Sequence, residues 1–513
     1  MRSLLFLSFV STSLALQFPF KVPFFQSTVP PEDDEPVRGT PKVAIIGAGA
    51  AGSSAAFWIS KAQHRFGVDV EVDVYEKTSH IGGRSLTIHP YDNDTFEPVE
   101  LGASIFVKAN KNMWRAAQEF NLTLRDLSKE DNDLGIWDGE QLLLNLGNSW
   151  WDMLKVLWRY GIMPPRRADS LVAGMLKQYS TLYTGDSPKW DNITDLAHSL
   201  GWMSLIESSG ADFFTSNGVS KQYVNELIEA ATRVNYGQNI DSIHALEAAC
   251  SIAANGASQV EGGNWQIFQR FLNYSSANIY TNTKVSSITQ KQSKSRPWVV
   301  HSDKGSTGYK AVIIAAPFHQ TDIELPSALV SQIPEQPYVH LHVTLVTTTS
   351  SSFNREYLAL SPHENAPHMI LTTHEGVRQG RKAPEFNSIS YHGKISEDEW
   401  VVKIFSEAPV EDKWLQTVFN GQVGWVHRAE FDAYPRLPPT SSFPPVRLDH
   451  GLYYVNAFEP FISTMETETL ASRNVVDLLL NEEFSSSICG PRISGSTKDT
   501  SVADNDFVFG WDC

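Results

Sequence analysis

Cysteine is scarce in this chain, with only Cys250, Cys489 and Cys513 among 513 residues. No CxxC pair and no Cys/His cluster is present, so the sequence offers no metal site. The odd count leaves at least one thiol over. Cys489 and Cys513 could pair, with Cys250 as a buried thiol. Basic clusters are also lacking: 41 Lys and Arg stand against 58 Asp and Glu, for a net charge of −17. A nucleic-acid partner is therefore not expected, because phosphate neutralisation needs a basic surface. After the N-terminus no apolar run approaches the roughly 20 residues of a bilayer span. Internal repeats and low-complexity tracts are missing, which argues against a solenoid.

The apolar and charged fractions, 42% and 19%, are those of an ordinary globular protein. The length suits two large domains or three average ones. The first residues, MRSLLFLSFVSTSLALQ, combine Arg2, an apolar run from Leu4 to Val10 and a small-x-small site at Ser13-Leu14-Ala15. This reads as a secretory signal peptide over residues 1–15, with a buried terminal strand as the alternative. Residues 16–40, rich in Pro, Phe and acid, read as a leader. Export predicts glycans, and four sequons are present, at Asn93, Asn121, Asn192 and Asn273.

The folded body opens on KVAIIGAGAAGSSAAF from Lys42. Val43–Ile46 reads as a strand, Gly47–Gly49 as a tight turn, and Ala50 to about Ala62 as a helix. In VDVEVDVYEK, Val68, Val70, Val72 and Val74 alternate with acids, a period of two that predicts a strand. Strand, turn, helix, strand is a βαβ unit and predicts an α/β fold with a parallel sheet. Apolar runs at KAVIIAAP from Lys310 and GLYYVNAF from Gly451 read as later strands of the same sheet.

The glycines fit G-x-G-x-x-G between a strand and a helix, with Glu76 ending the next strand. That context makes the motif specific for a dinucleotide. Gly47 permits the turn, Gly49 lets a pyrophosphate approach the backbone beside Ala48 and Ala51, and Gly52 lets the helix pack on the sheet. The helix N-terminus offers N–H groups and positive partial charge to the anion. Glu76, followed by Lys77, can accept from ribose hydroxyls.

A second glycine pair, Gly82-Gly83, precedes Arg84, which could lie near phosphate. This GGR continuation resembles the flavoproteins that include amine oxidases, phytoene desaturases and prenylcysteine oxidases, whose cofactor is FAD. Where amine oxidases often carry Arg before the glycine pair, this chain has His80, which puts an ion pair to phosphate there in question. VELGASI resembles the flavin-facing turn of that superfamily, with Gly102, Ala103 and Ser104 at close approach. TNTKVSSI resembles the strand whose Val285 backbone meets adenine. FEPFISTMETETLASRNV resembles the C-terminal flavin motif, placing Glu459, Thr464, Met465 and Glu466 at the cofactor. A helix opening there would direct its N-terminus at the flavin; an ordinary capped helix is the alternative. The motif holds no cysteine, which implies non-covalent FAD.

TRVNYGQNIDSIHALEAACSIAA and the EGGNWQ stretch from Glu261 resemble the prenylcysteine oxidase (prenylcysteine lyase) family. The resemblance runs from about Pro41 to about Leu480. It implies a Rossmann-type FAD-binding domain over 41–125, 240–330 and 445–484. A mixed α+β substrate domain, 126–239 and 331–444, is interleaved with it, and 485–513 form a tail. It also implies oxidation of the thioether of farnesyl- or geranylgeranyl-cysteine. Loss of hydride to the flavin leaves a cation shared by sulfur and the alkene. Water adds, and the hemithioacetal collapses to a prenyl aldehyde and cysteine, while oxygen is reduced to hydrogen peroxide. The cofactor carries the hard step, so no catalytic side chain is named. The resemblance further implies a lysosomal, vacuolar or secreted destination.

Such a substrate needs an apolar slot with one polar end. In NSWWDMLKVLWRYGIMPP, Trp151 and Trp158 share a helical face with Leu154 and Leu157. Core packing is the simplest reading; a prenyl tunnel or peripheral contact with a membrane are the others. Gly262, Gly263 and Asn264 are candidates to border the substrate, or else form a turn before a helix. An amine oxidase on the same scaffold, or a protein that binds FAD without catalysis, remain alternatives.

Overall fold

The computed structural model describes residues 39–127, 133–147, 150–253, 256–291, 295, 297–490 and 507–513. The signal peptide and the leader as far as Arg38 lie outside the described residues, as does 491–506 of the tail.

Strand β1 (Lys42–Ile46) is apolar because it is central. It pairs in parallel with β2 (Glu71–Tyr75) on one side and with Ala311–Ile314 on the other. The six-stranded sheet has the order 447–449, 452–454, 311–314, β1, β2, 278–280. Both later apolar runs thus return to the sheet that β1 began. The second strand is shorter than the period of two suggested. Helix α1 (Ala50–Phe66) continues past Ala62 to a left-handed Gly67, and β2 starts only at Glu71. Asp73 is not on a wet face either. It is buried and accepts from Tyr309 Oη and Asn278 Nδ2, both at 2.8 Å. A central strand is covered on both faces, so its acid must find donors inside.

A seven-stranded, mostly antiparallel sheet is built from 134–137, 142–146, 338–348, 369–372, 388–396, 399–406 and 423–435. One face packs Leu341, Val343 and Leu345 on Val99 and Leu101. The other carries Val346, Val402 and Ile404 in a core with Leu415 and Val418 of the helix Asp412–Val418. A three-stranded antiparallel sheet, opening with Val285–Gln290, is inserted before 311–314.

The C-terminal helix Met465–Phe484 lies against α1: Ser472 Oγ donates to Ala51 O at 2.6 Å and Trp58 Nε1 to Thr469 O at 3.2 Å. The last residues are part of this core. Trp511 packs on Phe57, Trp58 and Phe271, Arg65 donates to the carbonyls of Gly510 and Trp511, and Cys489 is disulfide-bonded to Cys513.

Candidate active site

The turn after β1 lies at the carboxyl end of the parallel sheet, between β2 on one side and 311–314 on the other, the usual ligand crevice of an open parallel sheet. The three glycines differ in their surroundings. Gly47 has φ +106° and a Cβ there would lie 2.5 Å from Ala315 O. A Cβ on Gly52 would lie 1.8 Å from Gly47 O, so helix and turn touch. A Cβ on Gly49 would meet only Gly83, no closer than 3.6 Å. A Cβ on Gly49 would therefore rest in ordinary contact with Gly83 and clash with nothing. Gly49 precedes a helix with no side-chain cap and no acid in its first turn. Exposed N–H groups there suit a pyrophosphate.

Glu76 holds this turn: its carboxylate accepts from Ala48 N at 3.0 Å and from Thr78 N and Oγ1, each at 2.8 Å. Lys77 is exposed beside it. The chain leading to Val285 is tied to the same end of β2, because Thr283 N donates to Glu76 O at 2.9 Å. Gly82 N donates to Ala48 O at 3.0 Å, and Gly83, at φ +60°, faces Gly49.

Arg84 does not stand free for phosphate. Its guanidinium pairs with Glu459 at 2.5 Å and donates to Ala433 O at 2.8 Å. Glu459 also accepts from Tyr338 Oη at 2.7 Å. His80 turns to Ser85 O at 2.8 Å. The VELGAS turn lies under the GGR loop, since a Cβ on Gly102 would fall 2.2 Å from Arg84 O. Ala103 N donates to that same carbonyl at 3.2 Å.

Thr464 caps the C-terminal helix in a capping box with Thr467 and, with Met465, is partly exposed. Glu466 points elsewhere. Its carboxylate caps helix α2 (Lys111–Glu119), accepting from Asn112 N at 2.9 Å, Met113 N at 2.8 Å and Tyr183 Oη at 2.6 Å. Its carboxyl is structural, which corrects the sequence expectation.

Asn264 is also a staple rather than an exposed substrate group. It is fully buried, its Oδ1 accepts from Val260 N at 2.9 Å, and its Nδ2 donates to Ala103 O at 3.0 Å. Gly262 and Gly263, both at positive φ, form the turn before the helix Trp265–Ser275, and Trp265, which opens that helix, packs on Gly82. Trp151 and Trp158 are exposed, which overturns core packing and a closed tunnel alike. The four sequon asparagines are all exposed.

Two groups were not read from the sequence. Lys403, on Glu399–Ser406, is buried and donates to Ser104 Oγ at 2.9 Å and Glu100 O at 3.0 Å. Burial pulls its ammonium down and pushes the Glu100 carboxyl up, and each partly offsets the other's shift. A lone lysine in the apolar run WVVKIF was the available signal. Glu468, in the first turns of the C-terminal helix, is buried, and neither oxygen has a hydrogen-bond partner. Burial, with the charge of Glu459, drives its carboxyl well above the usual range.

The described residues also bring His340, His342 and Glu430 within 4.8 Å, a spacing that could hold a metal ion. They face the opposite side of the sheet from Lys403, since residues 342 and 345 alternate and Lys403 is paired with Leu345. Only strand register assembles this group, so no spacing rule in the sequence announces it.

Residues 145–488 match the model of the family described as prenylcysteine lyase. The chain belongs to the prenylcysteine lyase family. Residues 45–120 match the NAD(P)-binding Rossmann-like domain. Among relatives of this family, the farnesylcysteine lyase of Arabidopsis thaliana is 30% identical over 496 residues, covering 92% of this chain and 94% of that protein. Prenylcysteine oxidase 1 of Homo sapiens is 26% identical over 473 residues, covering 86% and 90%. Similar solved structures include cyclohexylamine oxidase from Brevibacterium oxydans IH-35A, with a TM-score of 0.57 at 15% identity over 86% of this chain and 99% of that one. Putrescine oxidase bound to putrescine gives 0.57 at 14%, with the same coverage. At these identities the structural likeness is one of fold.

The cofactor of this family member is FAD, and the cleft fits it. Gly49 and Gly83 leave room for a pyrophosphate, Glu76 can accept from ribose, and the orphaned oxygens of Glu468 and Glu100 lack the donors that a polyol chain carries. Buried acceptors without donors are costly, so a ligand that supplies donors is favoured there.

Proposed function

We propose that this chain cleaves farnesyl- or geranylgeranyl-cysteine to a prenyl aldehyde, free cysteine and hydrogen peroxide, in the breakdown of prenylated proteins. The observation that carries this reading is the family match over 145–488, which contains the EGGNWQ turn packed on the glycine loop. FAD supplies the two-electron acceptor. The chain's own groups bind and orient. Gly47–Gly52 and the N-terminus of α1 hold the pyrophosphate. Glu76 holds ribose. Lys403 fixes the Gly102–Ser104 turn through Ser104 Oγ. Asn264 locks the EGGNW turn onto Ala103 and so positions the wall beside that turn.

The reading is tested by adding farnesylcysteine to the holoprotein under nitrogen. The yellow colour should bleach, and air should restore it with release of peroxide, farnesal and cysteine. A saturated alkyl cysteine should react far more slowly, because the allylic share of the cation is gone. Bleaching by an amine such as spermine but not by farnesylcysteine overturns this reading in favour of an amine oxidase. A spectrum that no substrate changes points to a non-catalytic flavoprotein.

The same reading places the protein in the secretory pathway, with a lysosome, a vacuole or the exterior as its destination. The disulfide supports an oxidising compartment. Exposure of Asn93, Asn121, Asn192 and Asn273 supports glycans there. Mass spectrometry of native material should find cleavage after Ala15 and glycans at some of these sites. An intact Met1 with bare asparagines refutes it. Peripheral contact with a membrane belongs to the same reading, since the substrate is lipid-like.

A further inference from the structure

Helix α3 (Trp150–Tyr160) and the start of α4 (Met163–Tyr179) turn six apolar side chains to solvent: Trp151, Leu154, Leu157, Trp158, Ile162 and Met163. Trp158 is 90% exposed, Trp151 59%, Ile162 52% and Met163 51%. These six, crowded into 151–163, are most of the exposed large apolar residues among the described residues. Single exposed apolar side chains are normal, but a contiguous patch marks a contact surface.

The face is held outward. The inner side of α3 is pinned by Arg159, whose Nε and Nη2 donate to Glu226 at 2.6 and 2.9 Å, and by Tyr160 Oη, which donates to the same carboxylate at 2.8 Å. Turning the apolar side inward would break this buried pair.

Charge selects the occupant. Across 150–168 the single acid is Asp152, buried and paired with Lys155 at 2.7 Å. Lys155 is taken up by Asp152 and Arg159 by Glu226, which leaves the exposed Arg166 and Arg167, followed by the exposed Asp169, as the outward charge of this face. The whole chain carries −17, so an anionic surface repels most of it and tolerates this face. Tryptophans beside exposed arginines match the headgroup level of a bilayer. No described helix is long and apolar enough to cross one.

We propose that α3 and the start of α4 dock this protein on the surface of a bilayer containing anionic lipid, with the apolar face inserted at the headgroup boundary. Docking stands on this surface alone; its purpose, lifting a prenylated cysteine from the bilayer, rests on the prenylcysteine reading.

The test is co-flotation of the holoprotein with vesicles of phosphatidylcholine and phosphatidylserine, without substrate, compared with the double variant Leu154→Glu/Ile162→Glu. Wild type should float and its tryptophan emission should shift to the blue. The double variant should lose at least about tenfold in vesicle affinity, since each change removes apolar insertion and adds repulsion. It should keep its flavin spectrum and its activity on dissolved farnesylcysteine. Wild type that stays with the soluble fraction, or a double variant that floats equally well, overturns the proposal. So does a wild-type dimer in solution that the variant converts to monomer, because the patch is then covered by a second copy. No substrate enters the flotation, so its failure leaves the prenylcysteine reading standing, and loss of bleaching alone leaves docking standing.

Discussion

The backbone N–H of Asn264 donates to the Glu100 carboxylate at 2.5 Å, joining two turns 164 residues apart. One is the turn before the helix Trp265–Ser275; the other leads into Gly102–Ser104. With Asn264 Nδ2 on Ala103 O, the bond makes a double clasp between them.

Asn264→Ala should therefore loosen a wall of the cleft. It removes two side-chain hydrogen bonds and leaves Val260 N and Ala103 O unpaired inside. The expected loss is about 2–6 kcal/mol of stability, from roughly 1–3 kcal/mol for each of the two orphaned groups. Chemical denaturation of the holoprotein measures it, and flavin retention on dilution should fall in parallel. A loss under about 0.5 kcal/mol, the range of a neutral surface change, removes the clasp from the account.

Two glycine changes should fail differently. Gly49 has φ −79° and ψ −163°, which any residue adopts, so Gly49→Val should fold. Its two methyls occupy the space left for pyrophosphate, and the purified protein should be colourless with normal circular dichroism. Gly52→Ala puts a Cβ onto Gly47 O and should not give folded protein. A yellow Gly49→Val defeats the assignment of that space.

Stability should fall as pH rises from mildly acidic through neutral. Burial pushes the Glu466 carboxyl up to about 7 from 4.5, against the Tyr183 hydroxyl and the N–H groups of Met113 and Asn112. The folded state then holds this proton more tightly than the unfolded chain. Its contribution is complete below the unfolded value and is lost as pH rises through 7. Glu247, pushed up to about 8 by burial, acts in the same sense. His244, held down at about 4 by burial, opposes them only as pH falls below its unfolded 6.5. The melting temperature should therefore decline from about pH 5 to about pH 8, the window in which the unfolded chain has lost these protons and the folded one still holds them. In Glu466→Gln that decline should flatten by up to roughly 3 kcal/mol, the value of the shift. An identical slope in wild type and variant would show that Glu466 does not titrate in this window.

The Cys489–Cys513 bond closes a loop with a sequence separation of 24. Removing it with Cys489→Ser/Cys513→Ser should cost about 3 kcal/mol by loop-closure entropy. Since residues 507–513 cover α1 rather than the glycine turn, the flavin spectrum should survive. Thermal melts with and without reductant check the first claim, and absorbance the second. A variant that loses its flavin at room temperature would place the tail in the cofactor site.

The sequence by itself determined the dinucleotide turn. Gly47, Gly49, Gly52 and Glu76 lie within one βαβ unit, where local backbone geometry sets the ligand site, and the returns at Ala311 and Leu452 show as buried apolar runs. The tertiary structure alone decided which side chains face that site. Glu466 and Glu468 are two residues apart on one helix, yet one caps α2 and the other is buried without a partner. Lys403 reaches Ser104 only because a seven-stranded sheet brings 399–406 over the VELGAS turn. Trp158 has the spacing of a core helix, but nothing in the described fold covers that face. Periodicity tells which residues share a face; what packs on that face depends on segments hundreds of positions away.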